Sequence, residues 1–225
     1  MGVLVSNDDC RKGKTVVISP HPDDETIGCG GWLIKRKEAG QSTVIIIASR
    51  NQGARLVECA RALEGLKTGE LITLDIEDGA NPPDEVLAGA AAAIAAILAT
   101  GDIPSRLFVP NIDDIHPIHR YAHILAVKAL RDCGTNAKCH VFQYEGFTPL
   151  ANPNRWLDIT AEMKEKRERL GAYRSQQKKY PLTAIVESLN AYRGATLFRK
   201  GVRYAEAYRM METKEYLSCK PSHNC

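Results

Sequence analysis

The chain has 225 residues, 44% of them hydrophobic and 25% charged, with 30 basic against 27 acidic residues and a net charge of +3. That length can bury a proper core in a single domain, and so small and dispersed a basic excess argues against a nucleic-acid partner, which needs a concentrated stripe. Met1–Cys10 lacks the basic n-region of a secretory leader, and the longest apolar run, at 86–99, falls short of the roughly 20 residues that span a bilayer.

Short β-branched runs alternate with helical patterns. Residues 15–19 read as a strand, and 28–39 as a helix ending at Gly40. Residues 43–48 form a second strand, apolar along its whole length, as expected where helices cover both faces of a parallel sheet. A helix over 54–66 precedes a strand at 71–74, and Pro82-Pro83 opens the alanine-rich helix that ends near 99. A strand at 106–109, a helix at 119–131 and a strand at 139–144 complete the alternation. This order implies an α/β fold, a Rossmann-like three-layer αβα sandwich with a mostly parallel sheet.

Beyond residue 146 the pattern changes to a C-terminal helical and strand elaboration. Residues 161–176 form a charged helix with Glu162–Lys166 and Glu165–Arg169 at i,i+4 spacing, read as a solvated face. A helix at 182–191 and a late strand at 203–210 follow. Without repeats or a linker, the chain reads as a single domain, with a core over 15–145 and an elaboration over 146–215. Its seven cysteines include no CxxC pair. Cys29, Cys59 and Cys133 sit in apolar or helical contexts, which suits reduced thiols in the cytoplasm; Cys219–Cys225 is the one pairing left open.

In open α/β sheets, ligands bind beyond the carboxyl ends of the strands. Two polar clusters fall there. Pro20-His21-Pro22-Asp23-Asp24-Glu25 follows the first strand, and a histidine with neighbouring carboxylates can supply metal ligands and a general base. The bland alternative is an acidic loop that caps a helix. Asn111-Ile112-Asp113-Asp114-Ile115-His116-Pro117-Ile118-His119 follows the fourth strand. Four of the six histidines, His21, His116, His119 and His123, lie in or beside these clusters. Two histidines, one aspartate and an open position for water make a zinc site.

Pro20–Glu25, followed by Gly28-Cys29-Gly30-Gly31 and joined to a downstream HxxH, resembles the signature of the LmbE-like, or PIG-L, deacetylase family. Arg55 and Glu58 match its Arg-x-x-Glu helix, and Arg193-Gly194 and Tyr204-Ala205-Glu206-Ala207 resemble its C-terminal segment, so the likeness runs over about residues 15 to 210. The resemblance implies a Zn2+-dependent N-deacetylase acting on an amino sugar or its conjugate, a small soluble substrate being favoured. His21, Asp24 and His119 would bind the zinc. Asp23 would be the general base, and His116 would stabilise the oxyanion or protonate the leaving amine. Arg55 and Asp75 would touch the sugar. Many relatives are homo-oligomers, which extends that expectation here without a subunit number.

One departure stands out. The family has Asp between the two histidines where this chain has Ile118, which puts the role of His116 in question and leaves Asp113 or Asp114 to compensate. His123 is assigned to packing. Three rival readings remain: an amidase cleaving a larger acyl group, a non-catalytic sugar- or metal-binding member, and a nucleotide-binding oxidoreductase. The last is the weakest, because Gly28–Gly31 does not match GxGxxG and its carboxylates would repel phosphate.

Overall fold

The computed structural model describes residues 3–6, 9–10, 13–38, 43–50, 53–77, 81–100, 105–114, 116–133 and 139–219. The apolar runs pair side by side. β2 (Thr15–Ser19) lies between β3 (Thr43–Ser49) and β5 (Ser105–Pro110), parallel to both. β4 (Thr68–Ile76) extends the sheet beyond β3, and β6 (Cys139–Tyr144) extends it beyond β5. The chain therefore runs outward from β2 to β4 and then returns to β2's other side. The reversal puts a crevice between the carboxyl ends of β2 and β5, where open α/β sheets bind ligands.

The elaboration completes the sheet. β8 (Ala205–Glu212) runs antiparallel to both β6 and β7 (Arg155–Asp158), and β1 (Val3–Leu4) pairs parallel with β7. The eight strands order as β1-β7-β8-β6-β5-β2-β3-β4. β1 and β7 escaped the sequence reading. One is two residues long and the other is half polar, so their pairing partners define them rather than their own periodicity.

Helices cover both faces. α1 (Asp24–Glu38) and α2 (Ala54–Ala62) share a core with α5 (Met163–Gly171) and α7 (Leu182–Ala195), built on Val17, Ile45, Phe108 and Phe142. α3 (Asp84–Ala99), α4 (Pro117–Asp132) and α8 (Thr213–Ser218) pack on Val16, Ile18, Ile46 and Leu107. Successive residues of β2 thus enter opposite cores, which is why Val16, Val17 and Ile18 are all apolar and the strand is buried along its whole length. Each such side chain contributes roughly 1.5–3 kcal/mol on burial.

Three local expectations change. α1 starts at Asp24 rather than at residue 28, so Asp24 and Glu25 form its acidic first turn; residues 39 and 40, where it was expected to end, lie outside the described residues. The charged helix over 161–176 is α5 followed by a separate turn, α6 (Arg174–Gln177). Lys166 is fully buried and bonds Glu206 of β8, whereas Glu162 bonds Lys35 of α1. The expected Glu165–Arg169 pair is present.

The glycines of α1 mark close approach. A Cβ on Gly28 would clash with the Tyr144 ring, and one on Gly31 would clash with Ile159. On Gly30 it would stand 3.1 Å from the Lys166 side chain. The motif lets β6 and the elaboration crowd against the helix that carries Asp24.

Candidate metal centre

The turn after β2 is knotted by its own polar groups. Ser19 Oγ donates to the His21 carbonyl at 2.6 Å, and the His21 N–H donates to Asp24 Oδ2 at 2.9 Å. This presents His21 and Asp24 from the start of α1, while His119 comes from the first turn of α4. One ligand atom from each of His21, Asp24 and His119 lies within 4.8 Å of the others, and all three residues are buried. Asp24 Oδ2 is 3.3 Å from His21 Nδ1 and 3.3 Å from His119 Nε2. Two imidazoles and one carboxylate converging in a buried site fit a zinc ion that keeps a position open.

A further carboxylate stands behind one ligand. Asp114 Oδ2 is 3.2 Å from His119 Nδ1, the outer partner that fixes the tautomer and orientation of a metal-binding imidazole. Burial works against a charge on His119, but Asp24 and Asp114 outweigh it and push the imidazole up to about 10. Burial likewise opposes ionisation of Asp24, yet His119 and then His21 hold its carboxyl well below the usual range. The electrostatics of the cluster favour a cation.

Asp23 sits beside this cluster, fully buried. Arg55, in the first turn of α2, donates from Nη2 to Asp23 Oδ1 at 2.5 Å and from Nε to the Pro22 carbonyl at 3.2 Å. Asp23 Oδ2 is buried without a hydrogen-bond partner among the described residues. Burial, then the charge of Asp24, hold the Asp23 carboxyl up at about 7 against the pull of Arg55.

Glu25 differs from its neighbours. Its Oε2 accepts from the Asp23 N–H at 3.0 Å and lies 3.0 Å from Ser19 Oγ, which accepts the Glu25 N–H at 3.0 Å. Its Oε1 accepts from Thr26 Oγ1 at 2.7 Å and from the Tyr173 hydroxyl at 2.5 Å. So many partners make it the brace of the turn. Glu58 is also occupied, accepting from the Ser175 N–H at 2.9 Å and the Ser175 hydroxyl at 2.6 Å.

The other residues named from sequence are distributed unevenly. His116 is the exposed N-cap residue of α4, its ring centroid 4.9 Å from that of His21 and 5.3 Å from that of His119, and its N–H donates to Asp114 Oδ1 at 3.0 Å. Asp75 is exposed on the edge strand β4 and pairs with Arg50 at 3.3 Å, not with the cluster. Ile118 is fully buried in the core beneath α4, so an acid there would enter hydrocarbon, and Asp114 is the carboxylate that meets a histidine. His123 packs against Tyr216 of α8, the Tyr hydroxyl 2.6 Å from His123 Nδ1. The bracing role of Glu25 through Tyr173 escaped the sequence reading, because Tyr173 is distant in the chain and carries no local signal.

Known proteins place this geometry in a family. The family model described as PIG-L, GlcNAc-PI de-N-acetylase, matches residues 16–130, just over half of the chain. A diacetylchitobiose deacetylase from Thermococcus kodakarensis is 26% identical, over 88% of this chain and 83% of that protein. The crystal structure of the conserved protein TT1542 from Thermus thermophilus superposes with a TM-score of 0.73 at 29% identity, covering 87% of this chain and 93% of that one. The 4-carboxy-2-hydroxymuconate hydratase GalB of Pseudomonas putida KT2440 superposes with a TM-score of 0.71 at 18% identity, over 95% of this chain and 100% of that one, a likeness of fold alone. Both sequence clusters fall inside the matched segment, with β5, α1 and nearly all of β2 and α4, and this chain belongs to the PIG-L family of de-N-acetylases.

Proposed function

We propose that this chain is a zinc-dependent hydrolase that removes an N-acetyl group from an amino sugar or a small amino-sugar conjugate. One zinc would be held by His21, Asp24 and His119. The observation that carries the reading is a buried three-residue ligand set beside a carboxylate whose Oδ2 has no hydrogen-bond partner among the described residues. The diacetylchitobiose deacetylase among its relatives supports an amino-sugar substrate.

When bound, zinc would polarise the amide carbonyl and bring the pKa of a coordinated water toward about 7. The chain supplies the rest. Arg55 holds one oxygen of Asp23 and the other has no hydrogen-bond partner among the described residues, so in this reading Asp23 Oδ2 is the atom that takes the proton from the attacking water. As water oxygen bonds to the carbonyl carbon, negative charge develops on the carbonyl oxygen, and His116, whose ring adjoins those of His21 and His119, would stabilise it. The carbon–nitrogen bond then breaks, and the amine leaves once it receives a proton from His116 or from protonated Asp23. Arg55 touches the sugar in this reading with what remains of its fork, and Asp75 does so only if the substrate reaches the sheet edge.

The same reading takes the chain as one domain acting in a reducing cytoplasm. The six cysteines among the described residues are free thiols, and no described helix is long and apolar enough to cross a membrane. The test is amine release from a panel of N-acetylated sugars, by chelator-stripped protein and after zinc is restored. Release that vanishes with chelator and returns with zinc is expected. Zinc uptake with no amine from any sugar would make the chain a binding module.

A further inference from the structure

Resting on the deacetylase reading, we infer that Phe147, backed by Tyr180, is a stacking platform for the ring attached to the reacting amino sugar. The preferred substrate then carries a neutral second pyranose or an aryl group at that position, rather than a free hydroxyl or a phosphate.

A lone exposed apolar side chain is ordinary, and Phe147 is 46% exposed. Its loop is not ordinary. Glu145, two residues earlier, is buried in an ion pair with Arg193, and Arg193 Nη2 also donates to the Leu150 carbonyl at 2.7 Å. Glu145 Oε1 accepts the Leu150 N–H at 2.8 Å, closing the loop on itself. From the other side, the Asn111 amide donates to the carbonyls of Thr148 and Pro149 at 3.5 Å each. The ring is held out to solvent by a segment braced at both ends, so little ordering entropy remains to be lost when a ligand lands on it.

The loop lies at the metal centre. A Cβ on Gly146 would stand 3.8 Å from both His119 Cε1 and Asp114 Oδ2, so Phe147 is one residue from the wall of the site. Tyr180 comes from the opposite side, where burial and then the nearby charge of Asp23 hold its phenol above its ordinary value. Its hydroxyl donates to Gln176 Oε1 at 3.1 Å. The two rings meet at 5.2 Å with an interplanar angle of 89°. Such an edge-to-face pair leaves an aromatic face uncovered. Phe147 thus adjoins the residue that faces His119 and Asp114, and its partner ring Tyr180 lies within reach of the charges of Asp23 and Arg55.

An aromatic face carries negative quadrupole density. It suits the C–H face of a pyranose, whose hydroxyls stay in water, or another aromatic ring. It offers nothing to a phosphate, which the same density repels.

Binding is measured by calorimetry on zinc-loaded Asp23→Asn protein, so that turnover plays no part. The probes are N-acetylglucosamine, N,N′-diacetylchitobiose and N-acetylglucosamine 1-phosphate. The disaccharide is expected to bind about tenfold more tightly than the other two, with Phe147→Ala removing that advantage and Phe147→Tyr keeping it. An advantage that survives Phe147→Ala, or a parent protein with no advantage, overturns the platform. Amine release from the same sugars by protein with Asp23 intact is scored separately. Its absence counts against the deacetylase reading, while the binding ratios still decide the platform.

Discussion

The metal end of the sheet and the interior of the elaboration both bury charge, and they treat it in opposite ways. At the metal end, Asp23 Oδ2 is buried without a hydrogen bond among the described residues, and Asp24 Oδ2 faces one nitrogen each of His21 and His119 at 3.3 Å. Under β8, Lys166 Nζ donates to Ile27 O at 2.8 Å, Asn190 Oδ1 at 2.9 Å and Glu206 Oε1 at 2.7 Å, which uses all three of its protons. Glu206 in turn accepts the N–H groups of Gly31 and Trp32 at 2.7 and 3.0 Å and the Tyr208 hydroxyl at 2.6 Å. A buried polar group left unpaired costs free energy that selection removes unless something uses it. The saturated network ties the elaboration to α1; in the proposed reading, the unsaturated one takes a cation, a water and a substrate. The same test sorts one short motif internally, since Glu25 is saturated and Asp23 is not.

The largest expected effect breaks the unsaturated side. Asp23→Asn should lower kcat by about 10²–10⁴-fold, the usual worth of a general base. Zinc content by elemental analysis should stay the same, and stability in urea should not fall, because the substitution removes a buried charge. Full turnover in that variant would remove Asp23 as the base. On the saturated side the balance reverses. Lys166→Met leaves Glu206 buried and unpaired, and should cost roughly 3–5 kcal/mol in urea unfolding. A loss below about 1 kcal/mol would erase the contrast between the two regions.

His123 gives a pH-dependent version of the same idea. Burial lowers its imidazole to about 4, while its ring meets Tyr216. Because the folded value lies below the unfolded one, near 6.5, the neutral form is favoured by the fold. The associated stability is complete above about pH 6.5 and is lost as the pH falls toward 4, by about 3 kcal/mol at most. Urea midpoints measured at pH 7 and pH 4.5 should therefore separate less in His123→Gln than in the parent. An equal separation assigns the acid sensitivity elsewhere. The smallest effect sharpens the metal site: Asp114→Asn should weaken zinc binding by about 10–100-fold, read by competition with a chromophoric chelator. No change would leave His119 oriented by something other than Asp114.

Much of the site was legible because its parts are local. His21 and Asp24 are three residues apart in one turn, and the HxxH motif places His119 at the start of a helix. Arg55 was legible as a site residue but not in its partner, since nothing near it in sequence points to Asp23. Ile118 shows the converse. The departure from the family pattern is plain in the sequence, yet only the structure shows the side chain buried in the core and Asp114 beside His119. The i,i+4 spacing of Glu162 and Lys166 fits a solvated pair as well as two separate contacts, and spacing is silent on which face another element covers.

Hydrophobic periodicity, proline and glycine placement and the two polar clusters settled the α/β architecture, the central strands and where the site should lie, because each depends on neighbours a few residues away. Which carboxylate is saturated, which lysine is buried and which strands complete the sheet were decided by tertiary structure. Desolvation and hydrogen-bond partnership depend on what arrives from distant parts of the chain, as Tyr173 reaches Glu25 and Glu206 reaches Lys166.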